Sequence, residues 1–172
     1  MSPTRWQTQA HVSVDPLPPF WRDQLADRLG CRPRRIGQWT ELAVYGALLC
    51  LDAALELQLP ADASIRVASL SGPRVATHDI IEQARTGVPM PFSFMQSQPS
   101  QMLAAISRYL KWQGDASFSV CRNRQMVIQL AQQECGAAGA LIGWVEEDQA
   151  TEWWRIRPIS IQERPVGQIP FR

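Results

Sequence analysis

Apolar and polar residues alternate over Ala10–Val14 (AHVSV), which predicts a short opening strand, followed by a proline-rigid connection in DPLPPF. In WRDQLADRLG, Trp21, Leu25 and Leu29 fall four residues apart before Gly30, so a short amphipathic helix is expected there. The stretch TELAVYGALLCLDAALELQ, residues 40–58, has no proline and is apolar around most of its circumference. It predicts a buried helix with Thr40 as N-cap. SIRVASLSG reads as a strand closed by the turn signal Ser71-Gly72-Pro73, and HDIIEQARTG as a helix capped by Thr77 and stopped at Gly87.

The proline-flanked segment VPMPFSFMQSQP predicts an irregular apolar loop. Beyond it, SQMLAAISRYLKW carries Met102, Leu103, Ile106, Tyr109 and Leu110 at helical spacing, and Gly114 ends it. The remaining pattern is strand (ASFSVC), helix (NRQMVIQLAQQE), strand (AGALIGWV) and strand (EWWRIRPISI). The linker EEDQ is long enough for a hairpin and too short for a crossover, so the last two strands should be antiparallel. The earlier, helix-containing connections should be parallel crossovers. The expectation is an α/β domain over residues 1–172: a five-stranded mixed sheet, the last strand antiparallel, helices packed on its faces, and irregular tails at 1–9 and 162–172.

Composition narrows the chemistry. At 172 residues with 45% hydrophobic and 19% charged residues, the chain can bury a core without disulfide or metal support. Its net charge of +1 supplies no field for nucleic acid, although every basic residue but Lys111 is arginine; Arg32, Arg34 and Arg35 in CRPRR read as a solvated loop. Cys31, Cys50, Cys121 and Cys135 form no C-x-x-C pair, His11 and His78 lie far apart, and no apolar run is long enough for a membrane span. A metal-free, cofactor-free cytoplasmic protein is expected.

Cys121 stands at the end of an alternating segment where a helical pattern begins, a place where a helix N-terminus favours thiolate over thiol; core packing is the competing role. Phe92, Phe94, Met95 and Met90 are too many large apolar groups for an uncovered loop, and suggest an apolar channel or an interface. The run Glu146, Glu147, Asp148 reads as a solvated turn, and the tryptophans as core or edge packing.

RRIGQWTELAVYGALLCLDAAL, SIRVASLSG, PMPFSFMQSQPSQMLAAISRYL, GDASFSVCRNRQMVIQLA and ALIGWVEE, in this order over about residues 35 to 160, resemble the N-terminal half of the β-ketoacyl synthases. These condensing enzymes of fatty acid and polyketide synthesis have a thiolase-type fold. The resemblance implies a nucleophile position at Cys121, by the helix pattern after it, or at Asn123, by counting forward from Gly114. It also implies an acyl pocket or interface formed by Phe92, Phe94, Met95, Cys121, Asn123 and Met126.

The departures bear on activity. The family's T-A-C-x-S setting is here Ser119-Val120-Cys121-Arg122-Asn123, and the two catalytic histidines that the family draws from its C-terminal half have no counterpart in His11 or His78. Without them neither decarboxylation of the extender nor its enolate is assisted. The resemblance therefore implies a catalytically incomplete, chain-length-factor-like subunit, similar to small synthase-like proteins of aryl-polyene (xanthomonadin-type) pathways. Its partner would be a full-length ketosynthase or a second copy of itself, and an acyl carrier protein is a further candidate. The alternatives are an acyl-transferring or thioester-hydrolysing enzyme that uses Cys121 after oligomerisation, and a regulatory or nucleic-acid-binding module.

Overall fold

The computed structural model describes residues 4–87, 91–147 and 150–159. Five strands, β1 (Trp6–Val14), β2 (Ser64–Ser69), β3 (Ala116–Val120), β4 (Ala140–Glu146) and β5 (Ala150–Pro158), form one sheet in the order β1-β5-β4-β2-β3. β2 runs parallel to β3 and β4, whereas β5 is antiparallel to both β4 and β1. The mixed sheet with its last strand reversed is the expected one, and the short β4–β5 linker accounts for the reversal.

Helices cover the two faces unequally. α2 (Gly37–Ala53) lies across β1, β5 and β4, with α1 (Trp21–Leu29) and α5 (Pro99–Tyr109) beside it. The main core on this side includes Trp39, Leu42, Tyr45, Ile65, Val67, Met102, Ile106 and Trp153. Among the described residues the opposite face carries only α6 (Arg124–Glu134), which seats Val127 and Ala131 on Ala68, Ile142 and Ile156.

Trp153 fixes the approach of α2. It is fully buried, and its indole N–H donates to Thr151 Oγ1 at 2.8 Å. A Cβ built on Gly46 of α2 would lie 2.4 Å from the five-membered edge of that indole, and one built on Gly143 of β4 would lie 2.5 Å from its benzo edge. Two glycines therefore leave one ring's thickness between helix and sheet.

Several boundaries depart from the sequence pattern. β1 starts at Trp6 rather than beyond residue 9, because the polar Gln7 and Thr8 lie exposed on an outer strand and still pair with Arg157 and Ile156. Thr40 sits buried inside α2 rather than capping it, and the helix ends at Ala53. After Ala53 the chain turns through Leu55 at φ 56 and delivers Glu56 to the wholly buried Arg155, 2.8 Å away; a guanidinium at that depth requires its carboxylate. Thr77 lies inside α3 (Arg74–Thr86), where its hydroxyl donates back to the carbonyl of Pro73 at 2.8 Å.

The segment expected to be a loop contains a short helix, α4 (Pro91–Gln96). Pro91 and Pro99 each begin a helix, a position proline tolerates because no partner is lost there. Residues 162–172, expected to be an irregular tail, and Met90 and Asp148 lie outside the described residues.

The two outer strands are finished differently. β1 has a register shift between Thr8 and Ala10, whereas β3 (ASFSV) is regular and lacks charge and proline. Ile65 N bonds to Asp115 O at 2.9 Å and Cys121 N to Ser69 O at 3.2 Å. The odd-numbered backbone groups of β3 thus face β2, and those of Ala116, Phe118 and Val120 point outward from the sheet.

Candidate functional site

The sequence-predicted site residues fall into two groups. Cys121, Asn123 and Met126 lie at the junction of β3 and α6, whereas Phe92, Phe94 and Met95 belong to α4, which packs on α3 and α5. No hydrogen bond or ring contact joins the two groups among the described residues.

Asn123 is the N-cap of α6: its extended backbone and its Oδ1, which accepts from Gln125 N at 2.8 Å, start the helix at Arg124. Cys121 is two residues further back. Its backbone continues the β3 ladder, and its sulfur lies 3.6 Å from Ser119 Oγ, half-buried against the α6-side core. Met126, in the first turn of α6, is about half exposed. The other thiols are placed differently. Cys31 is exposed, Cys50 is sealed in the main core with its pKa pushed up to about 12 by desolvation, and burial also raises the Cys135 thiol.

Neither histidine approaches Cys121 through a hydrogen bond. His11 Nε2 lies 2.8 Å from Glu152 Oε1, and its ring stacks on Trp154 at 5.1 Å between centroids. His78, on α3, is mostly exposed beside Asp79. Glu152 is itself buried, and its second oxygen lies 2.9 Å from Arg124 Nη1, so one carboxylate ties β1, β5 and the start of α6 together. Arg124 also lies over the Trp144 ring, 5.8 Å from its centroid. Sequence reasoning missed this cluster because its members come from three separated segments. The only local sign was an acidic residue directly before the two tryptophans of the last strand pattern.

The acidic turn is not simply solvated. Glu146 accepts from Leu70 N at 2.5 Å, from Ser71 N at 3.1 Å and from the Ser71 hydroxyl. Glu147 is buried and accepts from Val75 N at 2.8 Å, while its carbonyl takes Gln38 Nε2 at 3.0 Å. These carboxylates fasten the chain after β2 to the end of β4, a use that charge clustering alone does not reveal.

α4 presents Phe92, Phe94 and Met95 outward, each about half exposed, close to the partly exposed Val75 and Ile81 of α3 in the sense that α3 and α4 pack together. Arg35 caps the Phe92 ring at 5.4 Å. Among the described residues no cluster of three His, Cys, Asp or Glu side chains could hold a metal, and no helix is long and apolar enough to cross a membrane.

No family model matches the chain, and no curated protein does. Among solved structures the chain is similar to one in the complex of the ketosynthase ApeO with its chain length factor ApeC from Xenorhabdus doucetiae. The identity is 16% and the TM-score 0.61, over 90% of this chain and 77% of that one. The likeness is one of fold, and the matched chain is only modestly longer than this one.

Proposed function

We propose that the protein is a catalytically incomplete β-ketoacyl synthase-like subunit. It acts as an auxiliary, chain-length-factor-like partner in type II fatty acid or polyketide synthesis of the aryl-polyene (xanthomonadin) kind, in the cytoplasm. The observation that carries this reading is a synthase-type fold whose thiol at the strand–helix junction has Ser119, and no imidazole, as its side-chain partner among the described residues. Acyl transfer to sulfur needs a base, and the condensation that follows needs donors for an enolate oxygen; His11 is committed to Glu152 and His78 lies on α3.

A partner is supported by surface. The outward row of β3 has free hydrogen-bonding groups, Val120 is 72% exposed at its end, and Phe94 is 60% exposed on α4. Apolar groups of this size outside a core mark association surfaces. The partner we assign is a full-length ketosynthase, with pairing to a second copy as the other possibility, and the acyl carrier protein is served by the assembled complex. Phe92, Phe94, Met95, Cys121, Asn123 and Met126 are assigned to the acyl pocket or to the interface.

Co-expression with the full-length ketosynthase assigned as its partner should give one complex on size exclusion. Incubation with acyl thioesters should leave Cys121 unmodified by mass spectrometry. Separate migration of the two chains refutes the subunit role. A covalent acyl adduct that disappears in Cys121→Ala would instead establish the acyl-transferring reading.

A further inference from the structure

The ends of β2 and β3 are adjacent, yet the chain leaves them on opposite faces of the sheet. From β2 it passes through α3 and α4 to α5 on the α2 side, and from β3 it enters α6 on the other. Such a divergence opens a crevice beyond the carboxyl ends of parallel strands. Here the crevice is a cavity of about 650 Å³, lined by Leu70, Ser71 and Arg74 from the chain after β2, by Arg122, Asn123 and Arg124 from the chain after β3, and by Trp144 and Glu146 of β4.

Its charge is one-sided in effect. Glu146 is the only carboxylate in the lining, and its oxygens are already occupied by the amides of Leu70 and Ser71 and by the Ser71 hydroxyl. Arg124 is held in place from behind by Glu152 and by the Trp144 ring. Arg122 has no ion pair or hydrogen bond to its guanidinium among the described residues. Guanidiniums gathered in one concave site match a tetrahedral oxyanion, which accepts forked hydrogen bonds from more than one direction. Trp144 and Leu70 add apolar surface to the same lining.

The geometry points to a binding site for a phosphate monoester in this crevice: the phosphate lies between Arg122 and Arg124, and its organic group lies against Trp144 and Leu70. The site does not depend on the subunit role proposed above, because every residue in it belongs to this chain.

The test is a titration of the full-length, 15N-labelled chain at fixed ionic strength, followed through amide shifts, with phenyl phosphate, inorganic phosphate and sodium benzoate as probes. Phenyl phosphate is expected to saturate and to shift the amides of Ser71 and of Arg122 to Gln125. Inorganic phosphate should shift the same amides more weakly, and benzoate should leave them unmoved. Arg122→Gln, at an exposed position, should weaken phenyl phosphate by about tenfold, the loss of one charge-assisted contact. Arg122→Lys should lose less, and Arg28→Gln on α1 should lose nothing. Linear, unsaturated shifts overturn the site, as does equal weakening by Arg28→Gln. Equal response to benzoate overturns its specificity for phosphate, and inorganic phosphate binding as tightly as the ester overturns the role of Trp144 and Leu70.

Discussion

Replacing Gly46 by alanine sets two effects against each other, and the structure decides which prevails. In a helix interior alanine is favoured over glycine by about 1 kcal/mol, so an analysis of α2 in isolation expects a more stable protein. The new methyl carbon, however, would lie 2.4 Å from Trp153 Cδ1 and Nε1 and from Thr151 Oγ1. Comfortable carbon contacts begin near about 3.5 Å, so the indole would have to recede by about 1 Å. It cannot do so freely, since its far edge already lies on the backbone at Gly143, where the space for a side chain is also taken. Forcing a methyl into a packed core costs about 1–3 kcal/mol, and disturbing the Trp153–Thr151 hydrogen bond adds about 1 kcal/mol. Against the propensity gain, the net expectation is destabilisation by about 2 kcal/mol. For a domain of this length that lowers Tm by about 4–8 °C.

Urea unfolding followed by circular dichroism measures the change, with Trp153→Phe as the companion variant. The smaller ring should make Gly46→Ala less damaging in the Trp153→Phe background than in the parent. A Gly46→Ala protein as stable as the parent, or additive behaviour of the two substitutions, would refute the claim that the helix–sheet spacing is set by this ring.

Two further outcomes follow from the sites described. Because thiolate is the reactive form and Cys50 has a pKa of about 12 in the folded chain, only about one molecule in ten thousand carries that thiolate at pH 8. Cys31 should be alkylated first and Cys50 only on unfolding, as read by mass spectrometry. The unfolded thiol ionises near its ordinary value of 9.0. The folded state therefore holds a proton that the unfolded state has lost, and the Cys50 contribution to stability should fall as pH rises from about 9 to about 12 and vanish in Cys50→Ala. Asn123→Ala should cost about 1 kcal/mol by removing the cap of α6, whereas Asn123→Asp should retain stability; equal thermal unfolding of the two variants would contradict the capping role.

The helices and strands were readable where one periodicity dominated. The i, i+4 spacing in α1 and the continuous apolar run of β4 needed nothing from the rest of the fold, and the four-residue EEDQ linker was enough to orient the last strand pair. Boundaries failed where a distant group intervened. α2 stops early because Glu56 must reach Arg155, ninety-nine residues away in the chain. α4 escaped notice because prolines that begin helices look the same in sequence as prolines that exclude them. The candidate site was half legible. The sequence placed Cys121 at the end of its strand, but nothing near it announced that Ser119 would be its neighbour or that His11 would be bound to Glu152. Contacts between β1, β5 and α6 exist only once the sheet order is known, and hydrophobic periodicity does not encode that order.

The smooth outer border of β3 also governs how the polypeptide behaves when produced by itself. Five residues without lysine, proline or kink, with three sets of amides and carbonyls facing water, form a ready template on which sheets of other molecules can grow. Solubility should accordingly drop with concentration when the chain is expressed alone. A lysine in place of Val120, at the exposed tip of that border, is the change that should restore it.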